Sequence, residues 1–288
     1  MAVETAAQGP TASEYITHHL QAWANGPMND VVDFSVINYD AVIWSALIGA
    51  LMCWVLYRAA RAATSGVPGR FQAGVEFLVE MVDKEAKTLI KDEHNRKLVA
   101  PLALVLFVWI FLMNAMDLLP VDLIPWLWSH LVEAFGGDPA HAYMRAVPTA
   151  DLSTTTALAL GVLLMCFFYN VKVKGIGGWI KELMTAPFGS FPLLWPFNFL
   201  MQIIEFAAKT ISHSMRLFGN MYAGELVFML IALMGGAMGL SLSGIFLPIG
   251  HIIAGTAWAI FHILIITIQA FIFMILALVY LGQAHDSH

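Results

Sequence analysis

Five apolar runs limit what this chain can fold into: 41–57, 98–116, 152–169, 192–234 and 245–281. A helix of about 20 apolar residues, and as few as about 17, crosses a hydrocarbon core. Composition agrees, with 59% of the 288 residues hydrophobic and only 12% charged. A soluble domain carries about a quarter charged residues. The expected class is an all-α polytopic membrane protein with five crossings, organised by spans rather than by globular domains.

The charges are sorted by position. Of the 14 Lys and Arg residues, a dense group lies between Arg58 and Lys97, and Lys172, Lys174 and Lys181 follow the third run. Residues 1–40 hold none but carry Asp30, Asp33 and Asp40. The excess of Lys and Arg on cytoplasmic loops puts 1–40 outside and 58–97 in the cytoplasm. Five crossings then put the tail, 284–288, in the cytoplasm. Residues 1–40 lack the basic segment, apolar core and cleavage site of a signal peptide, and read as an external N-terminal arm. The net charge of −6 and the sorted basic residues do not resemble a nucleic-acid footprint. Cys53 and Cys166 sit inside apolar runs and read as small buried hydrophobes, not as a disulfide or metal framework.

Segment by segment, 41–57 is the first membrane helix and SGVPG at 65–69 is a turn. Apolar residues then recur at Phe71, Val75, Leu78, Val82, Ala86 and Leu89, with Glu80, Asp83, Lys84 and Lys87 between them. These steps of three and four predict an amphipathic helix within 65–97, lying on the cytoplasmic membrane surface. Residues 98–171 predict a helical hairpin whose external loop, 118–151, is rich in proline and carries Trp126 and Trp128, suited to a membrane interface. A cytoplasmic loop, 172–191, follows. Residues 192–234 and 245–283 each predict a helix too long for a ~30 Å core at about 1.5 Å per residue, so both must tilt or bend. A Gly-rich turn, 235–244, joins them.

Polar residues inside the first long helix form a stripe. Gln202, Glu205, Lys209, His213, Arg216 and Asn220 fall within an arc of roughly 80° and run about 27 Å along the axis. Glu225 departs from this face by about 140°. In the second long helix His251, His262 and Gln269 fall within about 20° of one another. Bland roles stand beside functional ones. Glu205 and Lys209 suit an i,i+4 ion pair. His213 and His251 suit structural histidines, while Asn220, His262 and Gln269 suit hydrogen bonds between helices. Asn114, Asp117 and Asp151 lie at span ends, where a solvated helix-end role is expected.

Arg216 is the exception. An arginine at the centre of a membrane helix costs at least ~2.5–3.5 kcal/mol, so it needs a reason. Its pKa above about 12 keeps it charged, so it cannot pass a proton along a relay of Glu, Asp and His. A fixed cation attracts a carboxylate and favours that carboxylate's ionised form. The residue therefore suits a barrier between two aqueous half-routes that makes a mobile carboxylate release its proton. No such carboxylate is evident in this chain, so a partner must bring it.

The segments TSGVPGRFQ, NAMDLLPVDLIP, VKGIGGWIKEL, MRLFGNMYAGEL and AIFHILIITIQAFIF resemble the a-subunit family of bacterial F-type ATP synthases, over roughly Asp33 to Gly282. The resemblance implies a membrane stator beside a rotating ring of c subunits, each with one proton-binding carboxylate. It also implies a peripheral stalk of b subunits, a place in the whole F-type complex and the bacterial inner membrane. The ATP chemistry lies in other subunits, so the chain is no enzyme alone. Arg216 falls on the family's essential arginine. Asn220, Glu225, His262 and Gln269 fall on the periplasmic half-channel. Gln202, Glu205, Lys209 and His213 fall towards the cytoplasmic half-channel, with His251, Asn114, Asp117 and Asp151 further candidates. Many relatives carry a glutamate where this chain has Gln202; Glu205 stands about one turn away on the same face.

An ion-coupled secondary transporter is the alternative, but the two halves show no inverted repeat. A membrane metalloprotease would need a motif such as H-E-x-x-H, which is absent, and the His18–His19 pair lacks companion ligands in the sequence. No phosphate-binding loop is present, so ATP is not bound here, and no cofactor or metal is expected.

Overall fold

The computed structural model describes residues 11–26, 35–236 and 242–283. Among these the regular elements are helices, apart from an isolated bridge between Ala24 and Asn38. In chain order they are α1 (Ala12–Leu20), α2 (Tyr39–Ala62), α3 (Arg70–Leu89), α4 (Glu93–Ala115), α5 (Leu123–Ala134), α6 (Leu152–Thr185), α7 (Trp195–Gly236) and α8 (Leu242–Gln283). Five of the described helical stretches are long and apolar enough to cross a membrane: 39–62, 93–118, 152–185, 192–235 and 246–283. Large apolar side chains stay exposed on them, among them Val42, Leu47, Leu51 and Trp54 of α2 and Ile252, Ile253 and Ile260 of α8. An apolar exterior of this extent suits lipid, not water.

The chain divides into two compact units, and α2, α4, α7 and α8 contribute residues to both. The first comprises 1–47, 113–151 and 220–266. Its buried apolar residues include Ala41, Met113, Met144, Val147, Met221, Met229 and Ile266. The second comprises 48–112, 152–219 and 267–288. Its core is built on Val82, Ala86, Ile90, Ile110, Tyr169, Leu217, Met274 and Leu278.

Several segments differ from expectation. The loop 118–151 contains α5 and then a return segment whose Ala142, Met144, Val147, Pro148, Thr149 and Ala150 are buried. Apolar side chains draw this segment into the core of the first unit, although its backbone lacks a long regular element. Helix continues through 172–185, where a loop was expected, with a break at Gly175, whose φ of 71° suits glycine best. The amphipathic helix α3 buries Val82 and Ala86 within the second unit, and the Leu89 carbonyl packs so closely on Gly282 that a Cβ there would lie 3.2 Å away. Cys166 is buried but Cys53 is exposed among apolar neighbours on α2. In the arm, α1 is closed by a capping box between Thr11 and Glu14. The middle of the expected Gly-rich turn (237–241), the tail 284–288 and parts of the arm (1–10 and 27–34) lie outside the described residues.

Candidate proton path

In the first unit, α7 places Glu225 at 7% exposure against a cation from outside the helices. Arg145, on the buried return segment, gives Nη2 to Glu225 Oε2 at 2.8 Å and to the Ala150 carbonyl at 3.0 Å. Its own backbone N–H donates to Asp40 Oδ2 at 3.0 Å, and that oxygen also accepts from the Trp23 N–H at 3.0 Å. Asp40 thus ties the arm and the start of α2 to the segment carrying the arginine. Burial works against the Arg145 charge, but Glu225, then Asp151 and Asp40, raise its pKa above the ordinary value. It is a cation at any working pH.

A second buried pair lies in the same unit. His262 of α8 is fully buried, with Nε2 2.6 Å from Asp117 Oδ2, at the end of α4. The contact is close and buried, and it is an ion pair only when His262 is protonated. The two pairs form one electrostatic cluster, since Arg145 acts on Asp117 and Asp117 acts on Glu225. Gly224 makes the space: a Cβ there would collide with the His262 ring and stand 3.1 Å from Asp117 Oδ2. Arg145 Nε, His262 Nδ1 and Asn114 Nδ2 are also buried without a hydrogen-bonding partner among the described residues.

Asn114 is fully buried and accepts from Thr149 Oγ1 at 2.7 Å; Asp117 is 6% exposed. Neither is the solvated helix end that its position suggested, because the return segment packs over them. Asp151 accepts from Asn38 Nδ2 at 2.9 Å. His251 Nδ1 lies 2.7 Å from the Ile231 carbonyl and joins α8 to α7. Asn220 is exposed on α7. In the arm, Tyr15 and His19 both reach Asp122 Oδ1, at 2.8 and 3.0 Å. Burial and Asp122 push the Tyr15 phenol above its usual range. Burial, then His19, holds His18 below the usual imidazole value. No group of three or more His, Cys, Asp or Glu residues suited to a metal occurs among the described residues.

The second unit holds a cavity of about 1080 Å³. Gln202, Glu205, Lys209 and His213 of the polar stripe line it together with Lys174, Glu182, Tyr280 and Gln283. Lys209 Nζ contacts Glu205 Oε1 at 2.6 Å and Gln283 Oε1 at 2.9 Å. Lys174 pairs with Glu182 at 2.8 Å. His213 is buried against the Phe273 ring, and both its nitrogens are without a hydrogen-bonding partner among the described residues. Arg216, one turn along α7, is partly buried. Gln269 Nε2 donates to its backbone carbonyl at 3.2 Å. Among the described residues its guanidinium makes no ion pair or hydrogen bond, so Glu225 is not its counter-ion.

Sequence reasoning missed Arg145. Its partners lie 80 and 105 residues away in sequence, beyond any helical periodicity. One signal was there: it is the only Lys or Arg between Lys97 and Lys172 in the sequence.

A family model described as "ATP synthase A chain" matches residues 42–282. The ATP synthase subunit a of Paracidovorax citrulli (strain AAC00-1) is 63% identical over 288 residues, covering 98% of this chain and 99% of that protein. That of Acidovorax sp. (strain JS42) is also 63% identical over the same shares, and that of Verminephrobacter eiseniae (strain EF01-2) is 59% identical. With most of its length matched by the model and nearly all of it by these relatives, the chain belongs to the ATP synthase A chain family.

Proposed function

We propose that this chain is the stator subunit of the membrane sector of an F-type ATP synthase, forming two offset aqueous half-channels that carry protons to and from carboxylates on a rotating ring of c subunits. The bilayer is the bacterial inner membrane, with the N-terminus periplasmic and the C-terminus cytoplasmic. A peripheral stalk of b subunits holds the stator against the rotor, and ATP is made in subunits outside the membrane.

Protons enter on the periplasmic side through water and the groups around Glu225, His262 and Asp117, with Asn220 and Gln269 further along. Buried polar groups without protein partners are satisfied by water, and the orphaned nitrogens of Arg145 and His262 fit a wet route. The proton neutralises a ring carboxylate, which can then turn through lipid. On the cytoplasmic side the 1080 Å³ cavity lined by Gln202, Glu205, Lys209 and His213 takes the released proton. Each proton crossing 100 mV supplies about 2.3 kcal/mol, so several are needed per ATP. Asn114, Asp151 and His251 hold the surrounding elements in place.

The observation that carries this function is the guanidinium of Arg216, without an ion pair or hydrogen bond among the described residues, within a helix long and apolar enough to cross a membrane. A buried arginine ordinarily finds a carboxylate within its own chain, as Arg145 does. Arg216 has none among the described residues, which suits a cation waiting for a carboxylate from a partner. In inverted vesicles holding the whole complex, Arg216→Ala should abolish proton-driven ATP synthesis while the detached head still hydrolyses ATP. Arg216→Lys should also lose most synthesis, because a lysine in this setting can give up its proton. Undiminished synthesis by Arg216→Ala vesicles would refute the assignment.

A further inference from the structure

We propose that Arg145 is a positioning residue for proton uptake: its guanidinium fixes the Glu225 carboxylate in place and sets the acidity at which that carboxylate accepts a proton. Arg145 takes this role only if the chain conducts protons as proposed above.

The geometry is that of a built counter-ion. Nη2 bridges Glu225 Oε2 and the Ala150 carbonyl, so the guanidinium plane is held at two points. The backbone of the same residue is held by Asp40, which also grips the arm at Trp23. Both side chains of the pair are nearly buried, at 13% and 10% exposure, where water screens the attraction little. The charged groups facing Glu225 come from three elements, with a fourth behind one of them. Arg145 lies on the return segment, Asp117 at the end of α4 and His19 on α1, while His262 of α8 faces Asp117. Arg145 is the permanent cation among them. The two arginines thus divide the work: Arg216 has no carboxylate partner among the described residues and is kept for the rotor, whereas Arg145 is dedicated to a carboxylate of its own chain.

The test is passive proton conductance through the complete membrane sector in vesicles stripped of the catalytic head, measured against pH on the uptake side. Arg145→Gln keeps a hydrogen-bonding side chain but removes the charge. Half-maximal conductance should then occur at about a tenfold lower proton concentration or beyond, as expected on losing an opposite charge within ~4–6 Å. Where Arg145→Gln fails to assemble with the ring, Arg145→Lys is measured instead. A lysine keeps the charge but cannot hold both acceptors in one plane, so a smaller shift in the same direction is expected. A wild-type midpoint in the variant that assembles overturns the role of Arg145. Glu225→Gln separates the two failures. If it conducts like wild type, or if wild-type vesicles do not conduct, the proton path itself is wrong. If it blocks conductance while the Arg145 variants keep the wild-type midpoint, only the Arg145 role falls.

Discussion

The cluster at Glu225 and the cavity at Lys209 both set a carboxylate beside a cation, yet they hold charge differently. At Glu225 the arginine is fixed by two acceptors and a tethered backbone, and the pair is nearly buried. At Lys209 the ammonium ion sits on a flexible stem, shared between Glu205 and Gln283, on the wall of a wide cavity. Glu205 is 51% exposed, so water and salt screen that pair. A buried, rigid pair holds its carboxylate in one electrostatic setting, whereas an exposed, loose one is weakened by solvent. If the proposed route is right, these different properties suit its two halves, because uptake must be tuned and release need only be open.

The largest test of this contrast is to break each pair once. Glu225→Ala leaves Arg145 buried without its counter-ion, at a cost of about 3–5 kcal/mol. Glu205→Ala, exposed and screened, should cost about 0–1 kcal/mol. The checks are the amount of chain recovered in the purified complex and its thermal unfolding midpoint. Equal losses would erase the distinction between the clusters. Alkaline pH sharpens it further. The folded pKa of Arg145 is raised by Glu225 against the cost of burial, so its charge contribution is complete below the unfolded value and fades only at pH above it. Base-induced loosening of the complex below about pH 11 should therefore spare wild type and appear in Arg145→Lys, whose buried ammonium can lose its proton in that range.

Next in size is Gly224→Ala. The added methyl meets the His262 ring and crowds Asp117, so the α7–α8 contact must open or the histidine must leave its rotamer. Overpacking of this kind costs about 1–3 kcal/mol. Proton conductance should fall with it, because the His262–Asp117 pair is displaced. Gly219, where a Cβ meets nothing within 4 Å, is the control: Gly219→Ala should leave stability of the complex within about 0.5 kcal/mol. Loss from both, or from neither, would remove Gly224 as the residue that makes room for the pair.

Much of this was legible from spacing. The stripe of Gln202, Glu205, Lys209 and His213 follows helical period, and the four side chains do meet on one cavity wall. The i,i+4 relation of Glu205 and Lys209 gave their ion pair directly. Where periodicity ended, so did foresight. Arg145 stands in a proline-rich segment, and nothing local pairs it with Glu225. Asp117 follows the apolar run directly, which suggests solvent; its burial depends on a return segment and on His262, over a hundred residues away. Local sequence reports which face of a helix is polar, and only tertiary packing reports what covers it.

Thr149→Val is intermediate and tests the packing of that return segment. It removes the hydroxyl that donates to Asn114 Oδ1 inside the core, leaving a buried acceptor at a cost of about 1–3 kcal/mol. The unfolding midpoint should drop while the pH midpoint of conductance stays put, since neither residue touches the Glu225 pair.

The smallest effect belongs to Lys209→Met. Methionine keeps an unbranched stem against the Tyr280 ring, over which Lys209 lies at 5.3 Å, but removes the charge. Its ion pair with Glu205 is partly exposed, so stability should change by no more than about 1 kcal/mol. What should change is the salt dependence of proton release. With the cation gone, the cavity wall keeps Glu205 and Glu182 as carboxylates, with Lys174 held by Glu182. Added salt then has less attraction to screen, and the rate of ATP-driven pumping should vary less between low and high ionic strength than in wild type. An unchanged salt dependence would mean that Lys209 acts on Glu205 alone, and that the cavity passes protons without help from its charge.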